Sequence, residues 1–151
     1  MAGRFRRGAT TSIRVAHTMN ARLSADQRER IVEVLRTAGI VYALVFGSGA
    51  HGRLRPESDL DIAVAAERPV SSEIRYELIS RLAAVVNRPV DLVDLKTARS
   101  VVYARAMQGD ELFCDSARAK GEAQFRRVSL VAEDLAFAKR SFSMARPGMF
   151  R

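Results

Sequence analysis

The chain has no tryptophan, two histidines and a single cysteine, Cys114, in 151 residues. One cysteine excludes an intrachain disulfide and any cysteine-rich zinc site, and it favours a reducing, cytoplasmic location. His51 has no second His or Cys nearby with which to form a transition-metal set. Long apolar runs are also missing, and none approaches the roughly 20 residues that cross a bilayer. The stretch Met1 to Asn20 is basic, carries Arg14 and His17, and lacks an apolar core of signal-peptide length. Because Met19 just precedes the first clear structural signal, residues 1 to 18 are expected to be a disordered extension or an overlong start.

Acids are outnumbered, 17 against 25 Lys and Arg. A net charge of +8 spread over a domain would point to nucleic acid, so its placement matters. Residues 1–20 hold four Arg and no acid, residues 21–117 hold 13 basic and 14 acidic side chains, and residues 118–151 hold eight and three. The excess sits in the two ends, and a nucleic-acid groove through the core is not indicated. The 48% hydrophobic content is enough for one core. The expected organisation is a basic extension at 1–20, a single domain at 21–144 that includes a long C-terminal helix, and a tail at 145–151.

Ser24 opens the first readable element: Ser24-Ala25-Asp26-Gln27 fits a capping box, and Ile31, Val34, Leu35 and Ala38 recur at helical spacing. A helix from about Ala25 to Ala38 follows, with Gly39 as its stop. Val41 to Phe46 is a short uncharged apolar run that reads as a strand buried on both faces. Gly47, Gly49 and Gly52 suggest a backbone that bends sharply or approaches something closely. Pro56 to Ser58 forms a turn and Leu60 to Ala65 a second strand, antiparallel to the first because the link is short. Ser71 to Val86 reads as a packing helix, Val90 to Leu95 as a third strand, Thr97 to Gln108 as a helix, and Leu112 to Cys114 as a short edge strand. Phe125, Val128, Val131, Leu135, Ala138 and Phe142 mark a long amphipathic helix over Ala119 to Ser143. The element order predicts an α/β (α+β) sheet flanked by helices.

Chemistry concentrates between the first two strands. Asp59 and Asp61 are two apart, so on an extended strand their carboxylates leave one face. Like charges that close need something positive between them, and hard oxygen ligands suit Mg²⁺, which keeps positions for water and substrate phosphates. Gly47 and Ser48 can offer N–H groups and a hydroxyl to those phosphates. An Asp-x-Asp pair alone is weak, since chance supplies roughly 0.4 of them in such a chain, but a Gly-Ser ten residues upstream lowers this to roughly 0.002. Arg53 and Arg55, in the same loop, are candidate phosphate clamps or simply exposed loop arginines. Asp91 and Asp94 both lie on the third strand with opposite parity, so only one can face the site. Glu57 reads as a turn acid, Cys114 as a small hydrophobe, and Tyr42, Tyr76 and Tyr103 as packing residues.

Gly47-Ser48 followed by Asp59-Leu60-Asp61 resembles the signature of the polymerase-β-like nucleotidyltransferase superfamily, and Phe46-Gly47-Ser48 with Ser58-Asp59-Leu60-Asp61-Ile62-Ala63-Val64 is similar to its minimal nucleotidyltransferase (MNT) branch. The resemblance spans about residues 25 to 115. It implies the polymerase-β-like fold with a mixed sheet, Mg²⁺ on Asp59 and Asp61, and a third ligand on the neighbouring strand, for which family pattern favours Asp91. Two Mg²⁺ and transfer of AMP from ATP are implied with it. Relatives often carry Ala-Arg-Gly where this chain has Ala50-His51-Gly52, so a phosphate contact is weakened or passes to Arg53. The resemblance further implies an antitoxin that AMPylates a small HEPN-type ribonuclease toxin, as a homo-oligomer or a hetero-oligomer with that toxin. Two other functions remain open here: a small-molecule (aminoglycoside-type) nucleotidyltransferase, and a non-catalytic toxin-binding module.

Overall fold

The computed structural model describes residues 22–52, 55 and 57–145. The expectations for the first 20 residues and for 146–151 lie outside the described residues. At the predicted helix start, Ser24 Oγ accepts the Gln27 N–H and Gln27 Oε1 accepts the Ser24 N–H, each at 3.1 Å. Two donors left open by a helix N-terminus are thus satisfied. Helix α1 runs Ala25–Thr37 with Ile31 and Leu35 as its buried positions.

Strand β1 (Ile40–Phe46) leads into a 3-10 turn (Gly47–Gly52), and β2 (Leu60–Ala66) returns beside it. Then come α2 (Ser72–Val86), β3 (Val90–Asp94), α3 (Ser100–Ala106), β4 (Asp110–Cys114) and α4 (Ala117–Ala145). The sheet order is β3-β2-β1-β4. β1 is antiparallel to both β2 and β4, whereas β2 and β3 are parallel, so the sheet is mixed. Helix α2 supplies the crossover that a parallel pair requires.

Period-two alternation assigns each face its cover. Leu60, Ile62 and Val64 of β2 and Val90 and Leu92 of β3 pack with Ile31, Leu35, Leu78, Leu82 and Val86 of α1 and α2. Ala63 and Ala65, Val93, and Tyr42, Leu44 and Phe46 of β1 face the other way, against Tyr103, Ala106 and Ala123 of α3 and α4. The expected sheet with helices on it is therefore covered on both faces.

Two elements differ from their sequence reading. Helix α3 is shorter than Thr97 to Gln108, because the N–H groups of Thr97 and Ala98 turn back to the Asp94 carbonyl at 3.1 and 2.8 Å. In α4 the periodic apolar positions are not the ones that pack: Phe125, Val128, Val131, Leu135 and Phe142 are exposed. The docking face is instead Ala119, Ala123 and Leu130, aided by Arg126, which donates to the carbonyls of Leu95 and Ala98.

Candidate active site

The β1–β2 connection begins at Gly47, whose φ is +64°. That left-handed conformation is easy for glycine, and space demands glycine as well. A Cβ built at Gly47 would lie 2.2 Å from Asp61 Oδ2. Absence of a side chain at 47 therefore creates the room in which the Asp61 carboxylate sits. A helical turn does start here, over Gly47–Gly52, as a phosphate-accepting turn would need.

Asp61 is in register with Phe46 across the antiparallel pair and with Asp91 across the parallel one. Register partners in adjacent strands point to the same face, and the strands stand about 4.8 Å apart. Asp61 and Asp91 are thus neighbours on the α3/α4 face. Asp59 lies just before the ladder, which starts with the Leu60 N–H donating to the Pro89 carbonyl at 2.9 Å. Asp59 and Asp91 are exposed, Asp61 partly buried. The Asp61 carboxyl is pushed above the ordinary Asp range, first by burial and then by the Asp91 charge; Arg105 opposes the shift and Asp59 adds to it. Asp59 and Asp91 are therefore both within electrostatic reach of Asp61.

Asp94 pairs with Val64 on the opposite face. It is 5% exposed rather than in solvent, and it accepts the N–H groups of Val70 and Lys96, each at 2.8 Å. Its work is to fix the turns after β2 and β3. Tyr42 and Tyr103 are buried packing residues as expected, and the Tyr103 hydroxyl donates to the Ala123 carbonyl. Tyr76 corrects its expectation: at 76% exposure it packs into no core. Cys114 sits half-buried on edge strand β4.

The turn expected around Ser58 is present, its N–H donating to the Arg55 carbonyl at 3.0 Å. The exposed Arg55 itself is described, while Arg53 lies outside the described residues. Three residues of this region had no motif to announce them. Arg88 donates to the carbonyls of Arg55 and Ser58 at 2.9 and 3.3 Å and ties the loop to the start of β3. Gly109 abuts the end of β1, where a Cβ would come within 2.3 Å of the Val45 carbonyl oxygen. Arg105, in the last turn of α3, is the cation that Asp61 feels.

Among the described residues no three His, Cys, Asp or Glu side chains are grouped so as to hold a metal ion together. The donors present are Asp61 and Asp91 on adjacent strands, with Asp59 two residues from Asp61, and burial and then the neighbouring Asp91 charge disfavour the ionised form of Asp61. Such a set suits Mg²⁺, which is commonly held by one or two carboxylates with water and substrate phosphates completing its shell. Two hollows of about 350 and 360 Å³ lie at the other end of β2 and β3, near Ala65, Ala66, Leu95 and Lys96, and none of the candidate acids lines them.

A mixed four-stranded sheet that presents a Gly-Ser turn beside strand-borne aspartates defines a nucleotidyltransferase fold. The sequence model of the family described as Polymerase beta, Nucleotidyltransferase matches residues 29–118. That is more than half of the chain, which belongs to this family. Protein adenylyltransferase MntA of Shewanella oneidensis is 39% identical over 70 residues, 46% of this chain and 50% of the relative. The chain thus spans about half the length of that curated relative. Among solved structures, a mutant toxin-antitoxin MntA-HpeT is 25% identical with a TM-score of 0.67, covering 78% of this chain and 97% of the other. A tri-AMPylated Shewanella oneidensis HEPN toxin in complex with MNT antitoxin matches at 23% identity and TM-score 0.61, covering 79% and 95%; this likeness is one of fold.

Proposed function

We propose that this chain is a Mg²⁺-dependent protein adenylyltransferase that moves AMP from ATP to a hydroxyl of a HEPN-type toxin and so acts as its antitoxin. The observation that carries the reading is the pairing of Asp61 with Asp91 in register beside the space left by Gly47. The toxin and the nucleotide are suggested by the relatives' names, protein adenylyltransferase MntA and toxin-antitoxin MntA-HpeT.

Asp59, Asp61 and Asp91 would hold the metal. Bound there, one or two Mg²⁺ ions would neutralise the triphosphate and activate the acceptor hydroxyl. Gly47 and Ser48 at the start of the turn would donate to phosphate oxygens, with Arg53 and Arg55 adding positive charge from the loop. In the overall transfer the acceptor oxygen bonds to the α-phosphorus, the bond to the β-phosphate breaks, pyrophosphate departs and the hydroxyl proton is released. Catalysis is then mainly positioning and charge neutralisation. Two of the three acids are exposed, and so open a site suits an acceptor hydroxyl carried on another protein better than a small molecule that must be enclosed.

The test is transfer from α-labelled ATP to a co-expressed helical toxin in the presence of Mg²⁺. Asp59→Asn and Asp61→Asn are each expected to abolish labelling. Normal labelling by both variants would show that these carboxylates are not the metal site.

A further inference from the structure

Helix α4 has two apolar lines, and its own domain uses only one. Ala119, Ala123 and Leu130 pack against the sheet. On the far side Val128, Val131, Leu135, Ala138 and Phe142 recur at alternating spacings of three and four, and all five are exposed, Val128 by 67% and Phe142 by 69%. From 131 to 143 every side chain is exposed, so about 20 Å of helix stands clear of the core. A spacing of three and four is the seam of a coiled coil.

We infer that α4 joins two copies of this chain in a parallel, in-register pair along that seam. The charges beside the seam choose both the partner and its direction. With Val128, Leu135 and Phe142 at a and Val131 and Ala138 at d, Asp134 falls at g and Lys139 at the following e. In a parallel pair the g side chain meets the e side chain five residues on in the other copy. Each Asp134 then faces the partner's Lys139, and two-fold symmetry makes this contact twice. An antiparallel pair in the register that sets Leu135 against the partner's Ala138 would place Asp134 beside the partner's Ser141 and Lys139 beside the partner's Ala132, neither of them a charge pair. Neither Asp134 nor Lys139 makes an ion pair with another described residue of its own chain. The seam lies away from the sheet-facing line, so a second helix can approach without displacing the domain. Little more than two heptads make a weak seam alone, but the packed first half of α4 already orders the helix and lowers the cost of association.

Sedimentation equilibrium of the full chain tests this. The mean mass should rise with concentration toward twice the 16.7 kDa of one chain. Leu135→Glu should weaken the association tenfold or more, roughly the cost of burying a charge in the seam. Phe137→Ser, an exposed position off the seam, should leave it unchanged. Asp134→Lys and Lys139→Asp should each weaken it about threefold to tenfold, and the two together should restore it. The charge reversal decides the matter even where Leu135→Glu fails to fold. A monomer at all concentrations overturns the inference, as does a dimer indifferent to the charge reversals. A seam that binds a toxin protein but never a second copy overturns it too.

Discussion

Gly47→Ala separates backbone strain from site geometry. At φ +64° an alanine costs about 1–2 kcal/mol relative to glycine, which for a chain of this size lowers the melting temperature by about 2–8 °C. The larger effect is local. The new Cβ would begin 2.2 Å from Asp61 Oδ2, and ordinary contact starts at 3.4 Å. The carboxylate must therefore retreat by about 1 Å, a displacement that costs on the order of 100-fold in rate when it misplaces a reacting constellation. Gly39→Ala is the control, because Gly39 has φ +83° with nothing within 4 Å of its built Cβ. Both variants should melt lower by similar amounts, yet only Gly47→Ala should lose transfer of label from ATP. Transfer by Gly47→Ala within about threefold of the parent would refute the argument that the empty space at 47 exists for Asp61.

The remaining predictions concern the acids. Asp61 has its folded pKa raised, chiefly by burial. Above both its folded and unfolded values the ionised group costs stability, and below the unfolded value, near 3.9, the cost vanishes. Metal-free Asp61→Asn should therefore melt higher than the parent at pH 7, with the difference fading as pH falls through the Asp range; equal melting at pH 7 would contradict the cost of burying this carboxylate. Asp94→Asn should lose about 2 kcal/mol, since an amide cannot accept both N–H groups, while its folded fraction still transfers label. Asp91→Asn should do the reverse, melting no lower than the parent and losing transfer. Denaturant titration beside the labelling assay tells the two apart, and an exchange of the two phenotypes would reverse the assignment by strand parity.

The parts legible in the sequence were those governed by local rules. The capping box at Ser24 and the uncharged run into Phe46 are each decided within a few residues. So is the alternation that puts Asp61 and Leu60 on opposite faces. Asp91 could be chosen over Asp94 by parity and resemblance, but nothing local said that Asp94 would be buried; that follows from the Val70 N–H arriving from the loop after β2. Arg105, Arg88 and Gly109 escaped for the same reason, since each acts on a segment far away in the chain. The outward apolar line of α4 was visible as periodicity, yet periodicity cannot say which side of a helix finds a sheet. Small Ala119 and Ala123 take that side, where α4 packs close to the sheet.

The parallel pairing of β2 with β3 sets a rule for what the chain can lose or gain. Asp61 and Asp91 meet because each holds one phase of the pleat in its own strand. One residue inserted or deleted within β2 upstream of Asp61, or within β3 ahead of Asp91, would turn that carboxylate to the opposite face while leaving every residue type intact. The connection between the strands is under no such restraint, because lengthening a surface link costs little and does not change phase. Substitutions in this domain can be judged residue by residue, whereas insertions must be judged by whether they are counted in twos.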